Sequence, residues 1–277
     1  MVSRLSSTRR ARLPVLAATL LLAVSTAGCL KRSPDMTGSL GASASGPVGE
    51  GGLRERAEEL ARRNEANPTD PAVAIAYAAT LRSLDQRAQA VAVLQQAAIR
   101  NPKHLDLLGA YGKALADAGR LKEASDVLGR AHLPENPDWR ILSAQGTVAD
   151  QMGDHARAQQ YYQAALRIAP GEATVMSNLG LSLALSKRLP EAERTLVEAS
   201  ARPKADLRVR QNLALVLGLQ GKLAEAETVL KRDMPPAEAA ANMQVLRGMI
   251  SQQNSWAAIR QQDGKAKART VAAKADD

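Results

Sequence analysis

Residues that could do chemistry are few in this sequence, and they lie far apart. None of its histidines, His104, His132 and His155, has a His, Cys or acidic partner at metal-ligand spacing. The sequence contains no H-E-x-x-H motif, no glycine-rich phosphate loop and no G-x-S-x-G elbow. We therefore predict no catalytic residue, no metal, no cofactor and no small-molecule substrate, and we interpret the protein as a non-enzyme.

Cys29, the single cysteine of the chain, is placed for covalent lipid attachment. Four arginines precede an apolar run over residues 13–24 that is too short to span a bilayer permanently. The run ends in Ser-Thr-Ala-Gly-Cys, which resembles the lipobox of bacterial lipoproteins, although Thr26 replaces the usual leucine. Ordinary cleavage after Ala27 and a cysteine without a role are the alternatives.

The segment after this cysteine predicts a flexible tether and the membrane in which the protein is anchored. Residues 29–52 are rich in Gly, Ser, Ala and Pro and have too little bulk to fold, so we expect a flexible linker. The residue after the cysteine is Leu30. An aspartate at that position would resemble an inner-membrane sorting signal, whereas a leucine resembles an outer-membrane destination. We therefore expect residues 1–28 to be a lipoprotein signal peptide and the protein to be anchored in a bacterial outer membrane, facing the periplasm.

A period of 34 residues organises the rest of the chain. In each unit the eighth position is Gly or Ala, the twentieth is Ala and the twenty-fourth is Leu or Tyr. Small residues allow two antiparallel helices to approach to about 8–10 Å, and the bulky residue fills the space between them. This pattern of small residue, turn, Ala-x-x-x-bulky and Ala resembles the tetratricopeptide (TPR) repeat.

These columns predict an all-α fold, a right-handed α-solenoid of five repeats with single-helix caps. The predicted units are 71–104, 105–138, 139–172, 173–206 and 207–238. We expect capping helices at 53–67 and 239–256 and a polar tail at 257–277. The fifteenth position, at the turn, is glycine in three units but Asp85 and Lys187 in the others, where we expect less favourable turns. Asp233 interrupts the alanine column at the twenty-seventh position.

Polar residues of the first helices are the candidate binding residues, because those helices line the concave groove of a TPR solenoid. They occupy the second, fifth, sixth and ninth positions: Lys113, Arg140, Ser143, Ser177, Asn178, Arg208, Gln211 and Asn212. An asparagine amide can hold the backbone of an extended peptide, and an arginine can pair with a carboxylate. The alternative is a solvated groove without a ligand. The Lys-Asn pair of the chaperone-binding carboxylate clamp is missing, which argues against an EEVD-type ligand.

The formal net charge of +9 does not indicate nucleic-acid binding. Four of the positive charges belong to the predicted signal peptide, and the remaining charges of both signs are mixed along the helices. No basic stripe is interleaved with aromatic residues, which are only 2% of the chain. The expected partners are therefore proteins, together with a membrane reached through the lipid.

Four segments narrow the resemblance further: Ser177–Ser182, Val209–Ala214, Pro235–Ala240 and the Gln-Gln-Asn-Ser-Trp run that ends at Trp256. Together they resemble the TPR lipoprotein of tight-adherence (Tad/Flp) pilus loci, the TadD family, over about residues 65–260. That resemblance implies a periplasm-facing lipoprotein needed to assemble the pilus machine, and a pilotin-like partner of the outer-membrane secretin. An adaptor for cell-wall enzymes and a subunit for outer-membrane β-barrel assembly are the rival functions.

Overall fold

The computed structural model describes residues 49–251, which form twelve helices. Their bounds are Glu50–Ala66 (α1), Pro71–Ser83 (α2), Arg87–Arg100 (α3), Leu105–Asp117 (α4), Leu121–Gly129 (α5), Trp139–Gln151 (α6), His155–Ile168 (α7), Ala173–Leu185 (α8), Leu189–Ser200 (α9), Leu207–Leu219 (α10), Leu223–Lys231 (α11) and residues 236–251 (α12). The predicted signal peptide, Cys29, most of the tether, Trp256 and the tail lie outside the described residues.

Helix pairs repeat along the described chain, and the all-helical prediction is confirmed. The first helices α2, α4, α6, α8 and α10 begin 34 residues apart, at the residues where the sequence columns place the units. Each first helix packs on the second helix that follows it, and each second helix packs on the next first helix. The described residues contain no strand, only an isolated bridge between Leu133 and Asn136.

All five turns inside the helix pairs have one geometry. Asp85 and Lys187 adopt φ of 58° and 63°, and the three turn glycines adopt φ between 75° and 84°. In every unit the residue after the turn residue donates its N–H to the carbonyl five positions earlier. Arg188 N, for example, donates to Leu183 O at 2.9 Å. This is the closing bond of a Schellman motif. Lys187 therefore pays the steric cost of a left-handed conformation, about 1–2 kcal/mol, to keep the common turn.

Aspartates start the first helices of three alternate units. The side chain of Asp70 accepts from Ala72 N at 2.8 Å, that of Asp138 from Arg140 N at 2.7 Å and that of Asp206 from Val209 N at 3.1 Å. Each carboxylate satisfies an N–H that has no partner within the helix, and its charge suits the positive end of the helix dipole. These caps fix the residue at which each of these first helices begins.

The core consists of the columns that the sequence predicts as helix contacts. The alanines at the twentieth position are all completely buried, and the bulky residues at the twenty-fourth are at most 3% exposed. A Cβ added at Gly112, Gly146 or Gly180 would lie 2.5–2.6 Å from the bulky side chain of the same unit. Because such contacts are shorter than carbon atoms allow, glycine lets the two helices of these units approach this closely.

Asp233, which interrupts the alanine column, has an ion-pair partner in the structure. Asp233 pairs with Arg210 at the fourth position of the same unit; Arg210 is half-buried and Asp233 is exposed. In the four earlier units both positions are apolar, as in Leu142 with Ala165, and they are buried. The last unit therefore replaces an apolar contact between its two helices with a charge pair.

Both capping helices begin three residues earlier than the sequence predicts, α1 at Glu50 and α12 at residue 236. The helix α1 begins at Glu50, within the expected tether, and the carboxylate of Glu50 pairs with Arg54 one turn later. An acidic residue in the first turn is favourable there, which offsets the glycines that follow it. The helix α5 ends at Gly129 and is followed by a tight turn, because Pro134 and Pro137 cannot continue a helix.

The contact at Gly146 gives a stability prediction. We expect Gly146→Ala to lower the free energy of unfolding by up to about 2 kcal/mol, because overpacking against Tyr162 costs about 1–3 kcal/mol and the helix propensity gained is about 1 kcal/mol. Urea unfolding followed by circular dichroism measures the change.

The matched control is Gly129→Ala, since a Cβ there meets nothing within 4 Å. We expect no loss of stability in that variant. Adding Tyr162→Leu to Gly146→Ala recreates the Ala–Leu pairing of Ala78 with Leu94, so the double variant should lose less stability than the sum of the two single variants, although it also loses the bond from Tyr162 to Asp150. Equal destabilisation by both glycine substitutions would show that the close contact is not the cause.

Candidate binding surface

One face of the first helices remains open to solvent. The second, ninth and thirteenth positions are not fully buried in any of the helices α2, α4, α6, α8 and α10, and we call these residues the open face. Among the described helices, successive first helices contact one another, whereas successive second helices do not. The stack therefore curves towards the first helices, and the open face lies on the inner side of the curve.

The structure divides the eight predicted binding residues into two groups. Arg140 and Arg208 are exposed on the open face, Lys113 is half-buried there, and Asn178 and Gln211 are half-buried beside it. The remaining three are buried: Ser143, Ser177 and Asn212. Nothing in the structure shows a ligand on this surface, so the groove as a binding site stays a prediction.

Asn212 differs most from its expected role. Its side chain is only 9% exposed, and its Nδ2 donates to Ser177 Oγ at 2.9 Å, between two neighbouring units. The expectation that both asparagines present free amides to a partner is therefore wrong for Asn212. The equivalent pair one unit earlier is Ser143 with Asn178, and Ser143 Oγ has no hydrogen-bond partner among the described residues. Asn178 accordingly remains the asparagine that a partner can reach.

Lys113 is the most unusual charge on the open face. It is half-buried and makes no hydrogen bond or ion pair with any described residue. Burial lowers the pKa of its ammonium group below the usual value; Asp138 and Asp106 oppose this effect, whereas Arg82 and Arg140 add to it. The ammonium thus sits where its positive charge is incompletely compensated.

The other cations near Lys113 are held in different ways. Arg82 pairs with Asp117 of the next unit at 2.5 Å, so its charge is neutralised within the fold. The guanidinium of Arg140 lies over the ring of Trp139, 4.6 Å from its centroid, and forms no ion pair with a described residue. This cation–π contact orients Arg140 without neutralising it.

Sequence reasoning missed the apolar part of the open face because only polar residues were considered. The ninth and thirteenth positions of the last two units are all leucine, and we call them the leucine patch: Leu181, Leu185, Leu215 and Leu219. Leu185 is 58% exposed and the other three are half-buried. The repeat pattern could have identified the patch, because all four leucines occupy the ninth and thirteenth positions, which are not fully buried in any first helix.

A polar cluster joins the third and fourth units on the turn side of α6. Asp150 accepts from Ser182 Oγ at 2.7 Å and from Tyr162 OH at 3.0 Å, and its other contact is His155 Nδ1 at 2.8 Å. Burial raises the pKa of the Tyr162 hydroxyl, and the Asp150 charge acts in the same direction, so the phenol stays a donor. These bonds fix the two units against each other and leave Asp150 no free oxygen for a ligand.

Two of the three histidines serve the helix structure. His104 caps α4 by accepting from Leu107 N at 3.3 Å, and His155 bonds within the polar cluster. Within residues 49–251 no three His, Cys, Asp or Glu side chains are arranged to hold a metal ion. In the same range no helix combines the length and the apolar character needed to cross a bilayer.

Comparisons with known proteins agree with this geometry. Two family profiles, both described as tetratricopeptide repeat, match residues 81–146 and 143–208, which span the second to fourth helix pairs. Residues 81–208 of this chain are therefore tetratricopeptide repeats. A comparison with the curated proteins finds no match. TPR domains typically act as non-catalytic scaffolds that mediate protein–protein interactions.

Solved TPR structures share the fold at low sequence identity. PilW, described as a widely conserved type IV pilus biogenesis factor, has a TM-score of 0.61 and 18% identity over 71% of this chain and 91% of PilW. Pseudomonas aeruginosa PilF has a TM-score of 0.53 and 19% identity over 70% of this chain and 90% of PilF. The APC/C hetero-tetramer Cut9–Hcn1 has a TM-score of 0.57 and 17% identity over 70% of this chain and 39% of that one. At these identities the similarity is one of fold.

The bond between Asn212 and Ser177 gives a second stability prediction. Asn212→Ala leaves a buried hydroxyl unpaired, so we expect it to cost about 1–3 kcal/mol of unfolding free energy. Ser177→Ala should behave similarly, and the double variant should cost less than the sum, with a coupling of about 0.5–1.5 kcal/mol. Thermal or urea unfolding of the four proteins measures the cycle.

Asn178→Ala is the matched control, since it occupies the same column one unit earlier. We expect a change within about 0.5 kcal/mol, as for a surface substitution. Equal losses for Asn178→Ala and Asn212→Ala would contradict the different roles that the structure gives these asparagines.

Proposed function

We propose that this protein is a non-catalytic TPR scaffold, lipid-anchored through Cys29 in the outer membrane and facing the periplasm. There it binds protein partners during assembly of a Tad/Flp-type pilus or a related secretion machine, and the secretin is a candidate partner. The observation that carries the proposal is the open face. It runs along five consecutive first helices and holds cations and leucines that the fold itself leaves unpaired or exposed.

The open face favours protein partners over other ligands. A row of partly exposed leucines on the same face as cations without an ion-pair partner has the mixed character of a protein-binding surface, in which apolar contact supplies affinity and charges supply specificity. The described residues hold no metal cluster that would suggest catalysis. A scaffold needs only such a surface and a rigid stack to support it.

The pilus context rests on the sequence segments that resemble the Tad/Flp lipoproteins, among them Ser177–Ser182 and Val209–Ala214. One structure with the same fold, PilW, is a type IV pilus biogenesis factor by its description. The location rests on the apolar run before Cys29 and on Leu30 after it. These supports are independent of one another, and each has its own test.

Lipid attachment is tested directly. Cells grown with radiolabelled palmitate should label the wild-type protein, and Cys29→Ala should abolish the label because no other cysteine exists in the chain. Sucrose-gradient fractionation should place the labelled protein with the outer membrane. Equal labelling of both proteins, or of neither, would contradict a lipid on Cys29.

The pilus role is tested by deletion in the native host. We expect deletion to abolish pilin on the cell surface, measured in sheared fractions, and a plasmid-borne copy to restore it. Cell shape and outer-membrane β-barrel levels are the controls and should be unchanged. Normal piliation with altered cell shape would instead favour the cell-wall adaptor, and loss of β-barrel proteins would favour an assembly subunit.

A further inference from the structure

The two ends of the open face differ in chemistry. Its second and third units contribute Lys113 and Arg140, whereas its fourth and fifth units contribute the leucine patch. The cation at the leucine end, Arg208, has an ion-pair partner in Asp206, 3.8 Å away. Because all of these residues occupy open positions of first helices, one extended ligand on the inner side of the stack would pass both ends. The difference between the ends therefore bears on the composition of a partner.

The leucine patch is continuous across two units. Leu181 and Leu185 are four residues apart on α8, so they lie on one side of that helix, and the other two leucines are related in the same way on α10. The helices α8 and α10 contact each other directly. Single surface leucines need no explanation, but four at equivalent positions of adjoining helices form an apolar surface that a partner can cover.

The two cations at the other end of the open face, which we call the basic end, have no ion-pair partner within the fold. Lys113 and Arg140 form no ion pair with a described residue, although Arg82 one unit earlier is neutralised by Asp117. A partly buried charge without a partner is costly, and a ligand carboxylate would compensate it. The acids near Lys113, Asp106 and Asp138, lower this cost without bonding to its ammonium.

The repeat sets the spacing between the two ends. Lys113 and Leu181 both occupy the ninth position, two units apart, and successive first helices are in contact, so their axes lie about 10 Å from each other. The separation of about 20 Å corresponds to about six residues of extended chain at roughly 3.3 Å each. The leucines of α8 and α10, one unit apart, correspond to about three residues.

Given a protein-binding role for the open face, we propose that this face recognises an extended peptide segment. The segment carries one acidic residue and two apolar residues at fixed distances from it along the chain. The acidic side chain pairs with Lys113, and the apolar side chains lie on the leucine patch about six and nine residues away. A flat bilayer cannot follow the inner side of the curve. A nucleic acid would offer anions to Lys113 but would leave the leucines uncovered.

The test uses a random dodecapeptide display library against the processed lipoprotein in nanodiscs of neutral phosphatidylcholine. We expect enriched peptides to carry Asp or Glu about six residues from an apolar residue. A selected peptide, labelled with fluorescein, then gives dissociation constants by anisotropy. Enrichment of basic peptides, or of peptides without an acid, overturns the proposal.

Matched variants locate the binding. We expect Lys113→Met and Leu185→Ser each to weaken binding of the selected peptide at least tenfold, with melting temperatures unchanged or higher. Lys122→Met and Ile99→Ser are the controls, because both residues are exposed on second helices. Lys113→Glu should bind the peptide whose acid is replaced by lysine. Equal binding by the Lys113 and Lys122 variants overturns the proposal.

The outcome is separable from that of the proposed function. Loss of pili on deletion, together with peptide binding that ignores Lys113 and Leu185, removes this inference and keeps the scaffold role. Normal piliation on deletion, together with peptide binding that depends on both residues, removes the pilus role and keeps the recognition chemistry.

Discussion

The close approach of the two helices within each unit is the constraint on which the rest of the structure depends. It requires a small residue at the eighth position, alanine at the twentieth and one bulky residue at the twenty-fourth, and all of these are buried. With few aromatic residues and no Phe, the chain has few alternatives for filling its core. Leucine and alanine in fixed columns therefore supply most of the apolar burial, and each unit is stable only against its neighbours.

The turn geometry follows from the same constraint. If the two helices are to meet along their whole length, the chain must reverse within a few residues, and the left-handed turn residue does this in all five units. Lys187 adopts this conformation although it has a Cβ, which shows that packing of the flanking helices outweighs a local cost of about 1–2 kcal/mol. The fold tolerates an unfavourable turn residue more readily than a change in helix spacing.

The sequence predicts those features that depend on the period, because each helix contact is repeated in five aligned units. It predicts individual side chains less well. Asn178 and Asn212 share a column and a residue type, yet only Asn212 is bonded to the serine of the preceding unit. Burial at that column depends on how neighbouring helices pack, which a one-dimensional pattern does not contain.

The leucine patch shows the opposite limitation. Its residues sit in columns that are visible in the sequence, but leucine in a helix is normally assigned to the core. Only the burial of each position in the folded stack shows that these columns remain open to solvent in every unit. The pairing of Asp233 with Arg210 is another case, since the fourth and twenty-seventh positions meet only through the fold.

That charge pair also restricts how the array can change in length. A duplicated internal unit brings an apolar fourth position and an alanine at the twenty-seventh, so it fits beside any other internal unit. A duplication that opened between Arg210 and Asp233 would add a second aspartate facing Gln244, the residue one period after Arg210. Gain or loss of a whole unit on the N-terminal side of Leu207 therefore leaves the pair of Arg210 with Asp233 intact.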